Sequence, residues 1–138
     1  MRVVLDTSVL VAALRSSSGA SHRVLQLLFE RRFESAISTA LYLEYEAVLL
    51  RPEHSDLAGS EAEIRNVIRA VGACGVLQPI FYRWRPFLKD PDDDMLIDLA
   101  VAAGCAYIVT HNLRDFAGSE GLGVKVLLPR EFLKLIRS

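Results

Sequence analysis

Apolar and polar positions along the chain alternate between two rhythms. Val3-Val4-Leu5 is a short unbroken apolar run ended by Asp6, the pattern of a parallel strand buried on both faces. Val9 to Leu14 reads as a helix stopped by Ser16-Ser17-Ser18-Gly19, and Val24, Leu25, Leu27 and Leu28 mark a second helix packed on one side. Residues 33–38 suit a second short strand. Leu41 to Leu50 follows as a helix that Ser38 or Thr39 can cap, with Pro52 just beyond its end. Arg51 to Gly59 is a polar loop, and Ser60 to Ala73 is a more exposed helix with acids in its first turn. Val76 to Ile80 is a strand or an extended connection. Asp92 to Ala103 is a helix closed by Gly104, where a C-cap glycine sits. Residues 106–110 and 124–128 are two more buried strands, and Pro129 opens a final helix through Ile136. Strands alternating with helices imply right-handed crossovers and a central parallel sheet covered on both faces, a three-layer α/β/α sandwich. No repeat or second domain emerges, so residues 1–138 are expected to form one domain.

Bulk properties narrow the class without naming a chemistry. The 138 residues are 51% hydrophobic, with a mean hydropathy of +0.27, which favours a filled core over disorder. A domain of this size buries roughly 68–70% of its unfolded surface, so it needs neither disulfide nor metal to fold. No apolar run approaches the roughly 18–20 residues that span a bilayer, and Asp6 arrives too early for a signal peptide. A cytoplasmic protein is expected. Cys74 and Cys105 lie far apart and read as buried free thiols. Sixteen basic against seventeen acidic residues leave a net charge of −1, so no global basic field points to nucleic acid.

The placement of the acids says more than their number. In open parallel sheets ligands bind beyond the carboxyl ends of the strands. Asp6 ends the first strand there, either as a carboxylate at the mouth of the sheet or as a cap for the next helix. The run Asp90-Pro91-Asp92-Asp93-Asp94 feeds a helix start, where acids also sit well as a solvated, dipole-favoured group. Within it, Asp93 aligns with Leu96, Ile97 and Ala100 on an apolar stripe, whereas Asp94 and Asp98 fall on another line and are expected to be exposed or of secondary importance. Glu44 and Glu46 both interrupt an apolar helix, and helical geometry does not choose between them. The second strand ending is Thr110-His111-Asn112, with Asp115 three residues on. If such carboxylates converge, a pair about 4 Å apart costs on the order of 4 kcal/mol at an effective dielectric of 20. A bound cation relieves that repulsion, and all-oxygen ligand sets suit Mg²⁺ or Mn²⁺.

Four segments taken in order resemble a known family. Val-Val-Leu-Asp-Thr-Ser at 3–8, Leu-Glu-Tyr-Glu-Ala-Val-Leu at 43–49, Asp-Pro-Asp-Asp-Asp at 90–94 and Ile-Val-Thr-His-Asn-Leu-Arg-Asp-Phe at 108–116 are similar to PIN domains. Within that family the likeness is to VapC-type toxins of bacterial toxin–antitoxin pairs. The resemblance implies a Mg²⁺- or Mn²⁺-dependent endoribonuclease. It implies Asp6, Glu44 and Asp93 as metal-binding acids, with Asp115 helping a second or transient ion. A fourth acidic position of many members is Asn112 here, a departure that favours one ion over two, although the Asn carbonyl can still act as a ligand. Thr7, Ser8 and Thr110 are then candidates to bond those carboxylates, alongside ordinary cap and strand-end roles. The likeness further implies an RNA substrate, a homodimer and a cognate antitoxin, with no membrane association.

RNA binding calls for basic residues around the acidic centre, and Arg15, Arg51, Arg83, Arg85, Lys89 and Arg114 lie near the relevant loops. Tyr82-Arg83-Trp84-Arg85 mixes aromatics and charge as base-stacking surfaces do, or else anchors Trp84 in the core. His111 is a further candidate for substrate contact. Three rivals fare less well. A haloacid-dehalogenase-type phosphatase wants a second Asp where Ser8 stands, a receiver domain wants an acid pair and a lysine, and nucleotide hydrolysis wants a glycine-rich phosphate loop. A non-catalytic module that keeps the fold is the remaining alternative.

Overall fold

The computed structural model describes residues 1–80, 91–116 and 119–137, with only the backbone described at 91–93, 120 and 137. Five strands are formed among the described residues: β1 (Arg2–Leu5), β2 (Glu34–Ile37), β3 (Gly75–Leu77), β4 (Tyr107–Val109) and β5 (Lys125–Leu127). They lie in the order β3-β2-β1-β4-β5, and every neighbouring pair is parallel. Val3, Val4 and Leu5 are fully buried because β1 is the centre of the sheet.

Six helices are described: α1 (Thr7–Arg15), α2 (Ala20–Phe29), α3 (Thr39–Leu49), α4 (Glu61–Cys74), α5 (Pro91–Ala102) and α6 (Pro129–Arg137). The chain steps outward from β1 to β2 and β3 through α1–α4, then returns through α5 to β4 on the other side of β1. Right-handed crossovers that step in opposite directions place their helices on opposite faces, which gives the three-layer α/β/α fold. No helix among the described residues is long and apolar enough to cross a membrane.

Local signals explain most of the boundaries. Ser38 caps α3, its Oγ accepting the Leu41 N–H at 3.0 Å, and Ser60 caps α4 in the same way through Glu63. Gly104 ends the α5 turn at φ +68, a conformation that L side chains resist. Residues 51–59, expected to be a plain loop, contain two short 3-10 turns at Pro52–His54 and Leu57–Gly59. Cys105 is buried, and desolvation pushes its thiol up to about 11 against a smaller lowering by Arg2; Cys74 is only half-buried.

One expectation fails in α5. Leu96, Ile97 and Ala100 are buried as the stripe predicts, but Asp94 and Asp98 are not exposed; each is only 3% accessible, and neither is without a partner. The reason is that α5 packs against β1, β2, β4 and α3 together. A helix enclosed on so many sides has no solvent line left to hold its polar residues.

Candidate active site

The turn from β1 into α1 sets the first carboxylate. Asp6 stands at the N-cap of α1 with extended backbone (φ −66, ψ 149), yet its side chain makes no capping hydrogen bond. Its oxygens are used differently. The β1–β4 register pairs Val4 with Ile108 and Leu5 with Val109, and the Asp6 N–H donates to Val109 O at 2.9 Å. The next residues along, Asp6 and Thr110, therefore lie side by side, and paired residues of adjacent strands face the same way. Thr110 Oγ1 donates to Asp6 Oδ2 at 2.5 Å, and Ser8 Oγ donates to the same oxygen at 3.0 Å. Among the described residues Oδ1 has no such partner. Asp6 is 8% exposed, and none of the salt bridges formed among the described residues involves it. A buried carboxylate without a counter-ion is costly unless a cation is supplied.

The second carboxylate comes from α3. Leu41, Tyr45 and Leu49, spaced by four, are buried and seat this helix on the core. Tyr45 is fully buried and its hydroxyl donates to Leu5 O at 2.6 Å, tying α3 to the last residue of β1. Glu44 is thereby held beside α1, where Thr7 Oγ1 donates to Glu44 Oε2 at 2.7 Å. Tyr45 also registers the local field. Burial first, then the negative charges of Asp6 and Glu44, push its phenol well above the ordinary range, so it remains a donor.

Asp6, Thr7, Ser8, Glu44, His111, Asn112 and Asp115 line one cleft of about 610 Å³, which continues along α1 past Val11 and Ala12 to Arg15 and is walled opposite by Val48 and His54. The cleft opens where the strand order reverses around β1, the usual ligand position in such sheets. In the β4 loop, Thr110 Oγ1 accepts the Asn112 N–H at 3.0 Å, and His111 Nε2 lies 2.8 Å from the hydroxyl of Ser21. Asp115 and Asn112 are exposed at the rim.

Several sequence candidates therefore share this cleft. Between the two open choices on α3, Glu44 lines it and Glu46 does not. Thr7, Ser8 and Thr110 each bond a carboxylate. Arg15 lines the cleft; Arg114 is exposed on the adjoining turn and is not among the lining residues. Asp93 is the third residue of α5, but its side chain lies outside the described residues, as do Tyr82, Arg83, Trp84, Arg85 and Lys89. Among the described residues no three histidine, cysteine or acidic side chains gather as a metal-holding group. What those residues do present is an oxygen pair, Asp6 and Glu44, chemistry that suits a hard cation, in a cleft lined by no thiol among the described residues and by the imidazoles of His54 and His111.

Two functional positions carried a signal that the sequence reading did not use. Tyr45 sits mid-stripe in a buried helix, where a phenol must find a partner. His54 follows the end of α3, where a histidine can bond the last carbonyls, and its Nδ1–H donates to Val48 O at 2.7 Å.

An acidic cleft at the carboxyl edge of a parallel α/β/α sheet defines the class of protein. The family model described as PIN domain matches residues 2–114, and the chain belongs to that family, whose members are in general nucleases. An uncharacterized protein, MJ1680, of Methanocaldococcus jannaschii is 26% identical over an alignment that covers 97% of this chain and 90% of the relative. No solved structure matches.

Proposed function

We propose that this chain is a divalent-metal-dependent endoribonuclease that hydrolyses RNA phosphodiester bonds in the Asp6–Glu44 cleft. The observation that carries the reading is the presence of both carboxylates in one cleft at the switch point, each bonded by a hydroxyl of α1 and with one Asp6 oxygen unbonded among the described residues. Asp6, Glu44 and Asp93 would hold Mg²⁺ or Mn²⁺, and Asp115 would assist a second or transient ion. When bound, such an ion neutralises phosphate charge and acidifies water. The protein's own part is orientation. Thr110 and Ser8 fix one Asp6 oxygen and leave the other for a cation, and Thr7 fixes Glu44. Asn112 replaces an acid at the rim, which lowers the cleft's negative charge and favours a single ion. A toxin role with a cognate antitoxin, and a homodimer, extend the proposal on resemblance alone.

Purified protein incubated with mixed RNA oligonucleotides tests it. Cutting that requires Mn²⁺ or Mg²⁺, stops with chelator and disappears in Asp6→Asn is the expected result. RNA binding without cutting under any metal would instead identify a non-catalytic module, and hydrolysis confined to small phosphomonoesters would identify a phosphatase. Growth arrest on expression, relieved by Asp6→Asn, is the expected sign of a toxin.

A further inference from the structure

The cleft does not end at the carboxylates. On α1 the residues Ser8, Val11, Ala12 and Arg15, at offsets of three, four and seven, line one wall; Val48 and His54 line the other. Seven helical residues span about 10 Å, which exceeds the roughly 3.4 Å step of a stacked nucleotide strand. The trench is therefore long enough for nucleotides beyond the one being cut. One wall is apolar at Val11 and Ala12 and ends in the cation of Arg15, and the other carries an imidazole.

The imidazole is held in a defined state. A backbone carbonyl can only accept, so the 2.7 Å bond to Val48 O puts the proton on Nδ1 of His54. In the neutral ring Nε2 then carries the lone pair. His54 is 9% exposed, and Nε2 has no hydrogen-bond partner among the described residues, yet it is not a sealed atom, because Ser35 Oγ alone fills that category among them. Its remaining accessible surface belongs to a side chain that lines the trench. Arg15, which lines the same trench, is exposed and forms no ion pair among the described residues.

We propose that Arg15 and His54 form a subsite for a flanking ribonucleotide, with His54 Nε2 accepting the ribose 2′-hydroxyl and Arg15 contacting a phosphate. The subsite rests on the nucleic-acid cleft of the preceding section and extends it to a choice of sugar. An immobilised acceptor with a lone pair rewards a 2′-hydroxyl and gains nothing from a 2′-deoxy position, which is how a protein separates RNA from DNA at one site. The guanidinium supplies the attraction without regard to the sugar.

Binding in chelator tests the subsite separately from catalysis. The probes are a labelled oligouridylate about eight nucleotides long and its all-deoxyuridine counterpart, followed by fluorescence anisotropy. The wild type is expected to favour the ribo-oligomer by about five- to tenfold, the worth of one well-placed hydrogen bond. His54→Ala abolishes that preference. His54→Gln, which can both donate to Val48 O and accept from a hydroxyl, restores part of it. Should His54→Ala fail to fold, as judged by its melting curve, His54→Phe fills the ring volume without either nitrogen and takes its place. Arg15→Ala weakens both oligomers alike and lowers the salt slope by about one. No ribose preference in the wild type, an unchanged preference without His54, or no binding of either oligomer overturns the subsite. Failure to cut RNA with Mn²⁺, while the preference behaves as stated, overturns the nuclease reading and leaves the subsite standing.

Discussion

Hollows lie on both sides of α3, and the two sides are built in opposite ways. On one side the acidic cleft gathers Asp6, Glu44 and the hydroxyls of Thr7, Ser8 and Thr110 into a hydrogen-bonded set. On the other, two adjoining hollows of about 510 and 420 Å³ share Thr39, Leu43 and Leu77 and are lined mainly by apolar groups. Leu43 is 57% exposed and Leu77 68%. Neighbouring residues of one helix, Leu43 and Glu44, thus open onto different chemistry. The lesson is that size does not mark a site. The cleft is distinguished by two carboxylates, Asp6 and Glu44, bonded by hydroxyls from α1 and from the end of β4, whereas the groove, where α3 meets an edge strand, has among the described residues the single buried acid Asp98 amid mainly apolar groups.

The sharpest break of this comparison is Asp6→Asn, which removes one charge from the cleft and nothing from the groove. RNA cutting is expected to fall about a thousandfold, the rate equivalent of the several kcal/mol a metal centre supplies, with the melting temperature measured alongside to show that the fold persists. Retention of metal-dependent cutting in this variant would remove Asp6 from the chemistry. Next in size, Thr110→Val deletes the hydroxyl that orients Asp6 and is expected to lower activity or metal affinity by about 10–100-fold; Glu46→Gln, outside the cleft, changes neither.

Tyr45→Phe acts on the tie between α3 and β1. It leaves Leu5 O without its side-chain donor and is expected to cost about 1–3 kcal/mol in denaturant unfolding. The pH dependence has a definite sign. Because the folded phenol titrates above its unfolded value of about 10, its contribution is fully present below that pH and is lost as pH climbs through the folded value. The wild type should lose stability from about pH 10 upward, and Tyr45→Phe should decline less steeply over the same window. Equal slopes would show that Tyr45 is not the group responsible.

Ser35 offers a smaller effect on the groove's side of the sheet. It lies fully buried on β2, and its hydroxyl has no partner among the described residues. Ser35→Ala removes an unsatisfied group and is expected to raise stability by about 1 kcal/mol, read as a shift in denaturant midpoint. Smallest of all, Leu43→Ser and Leu77→Ser should each change stability by no more than about 0.5 kcal/mol and leave RNA cutting intact. A large activity loss in either would show that the groove belongs to the working surface.

How much of this was readable in advance follows from the range of each interaction. Strand β1 announced itself through three consecutive apolar residues, and the Ser38 and Ser60 caps through bonds that reach only three residues ahead. Asp6 was visible as an acid ending a buried strand, but its two possible uses were equal on local grounds. The β1–β4 register decided between them, because it sets Thr110, 104 residues away, against the carboxylate. The burial of Asp94 and Asp98 was misread for a related reason. Helical periodicity reports one face, and α5 is enclosed from several directions by elements distant in the chain.

By itself, then, the sequence determined the succession of strands and helices, the parallel sheet, and the acids and hydroxyls available at strand ends, since these depend on periodicity and short-range bonds. Only the tertiary structure decided that Glu44 rather than Glu46 shares a cleft with Asp6, that Tyr45 ties its helix to the end of β1, and that His54, bonded through Nδ1 to Val48 O, lines the same cleft. Those outcomes depend on how α3 is rotated and how β1 and β4 are aligned, quantities set by packing across the whole domain.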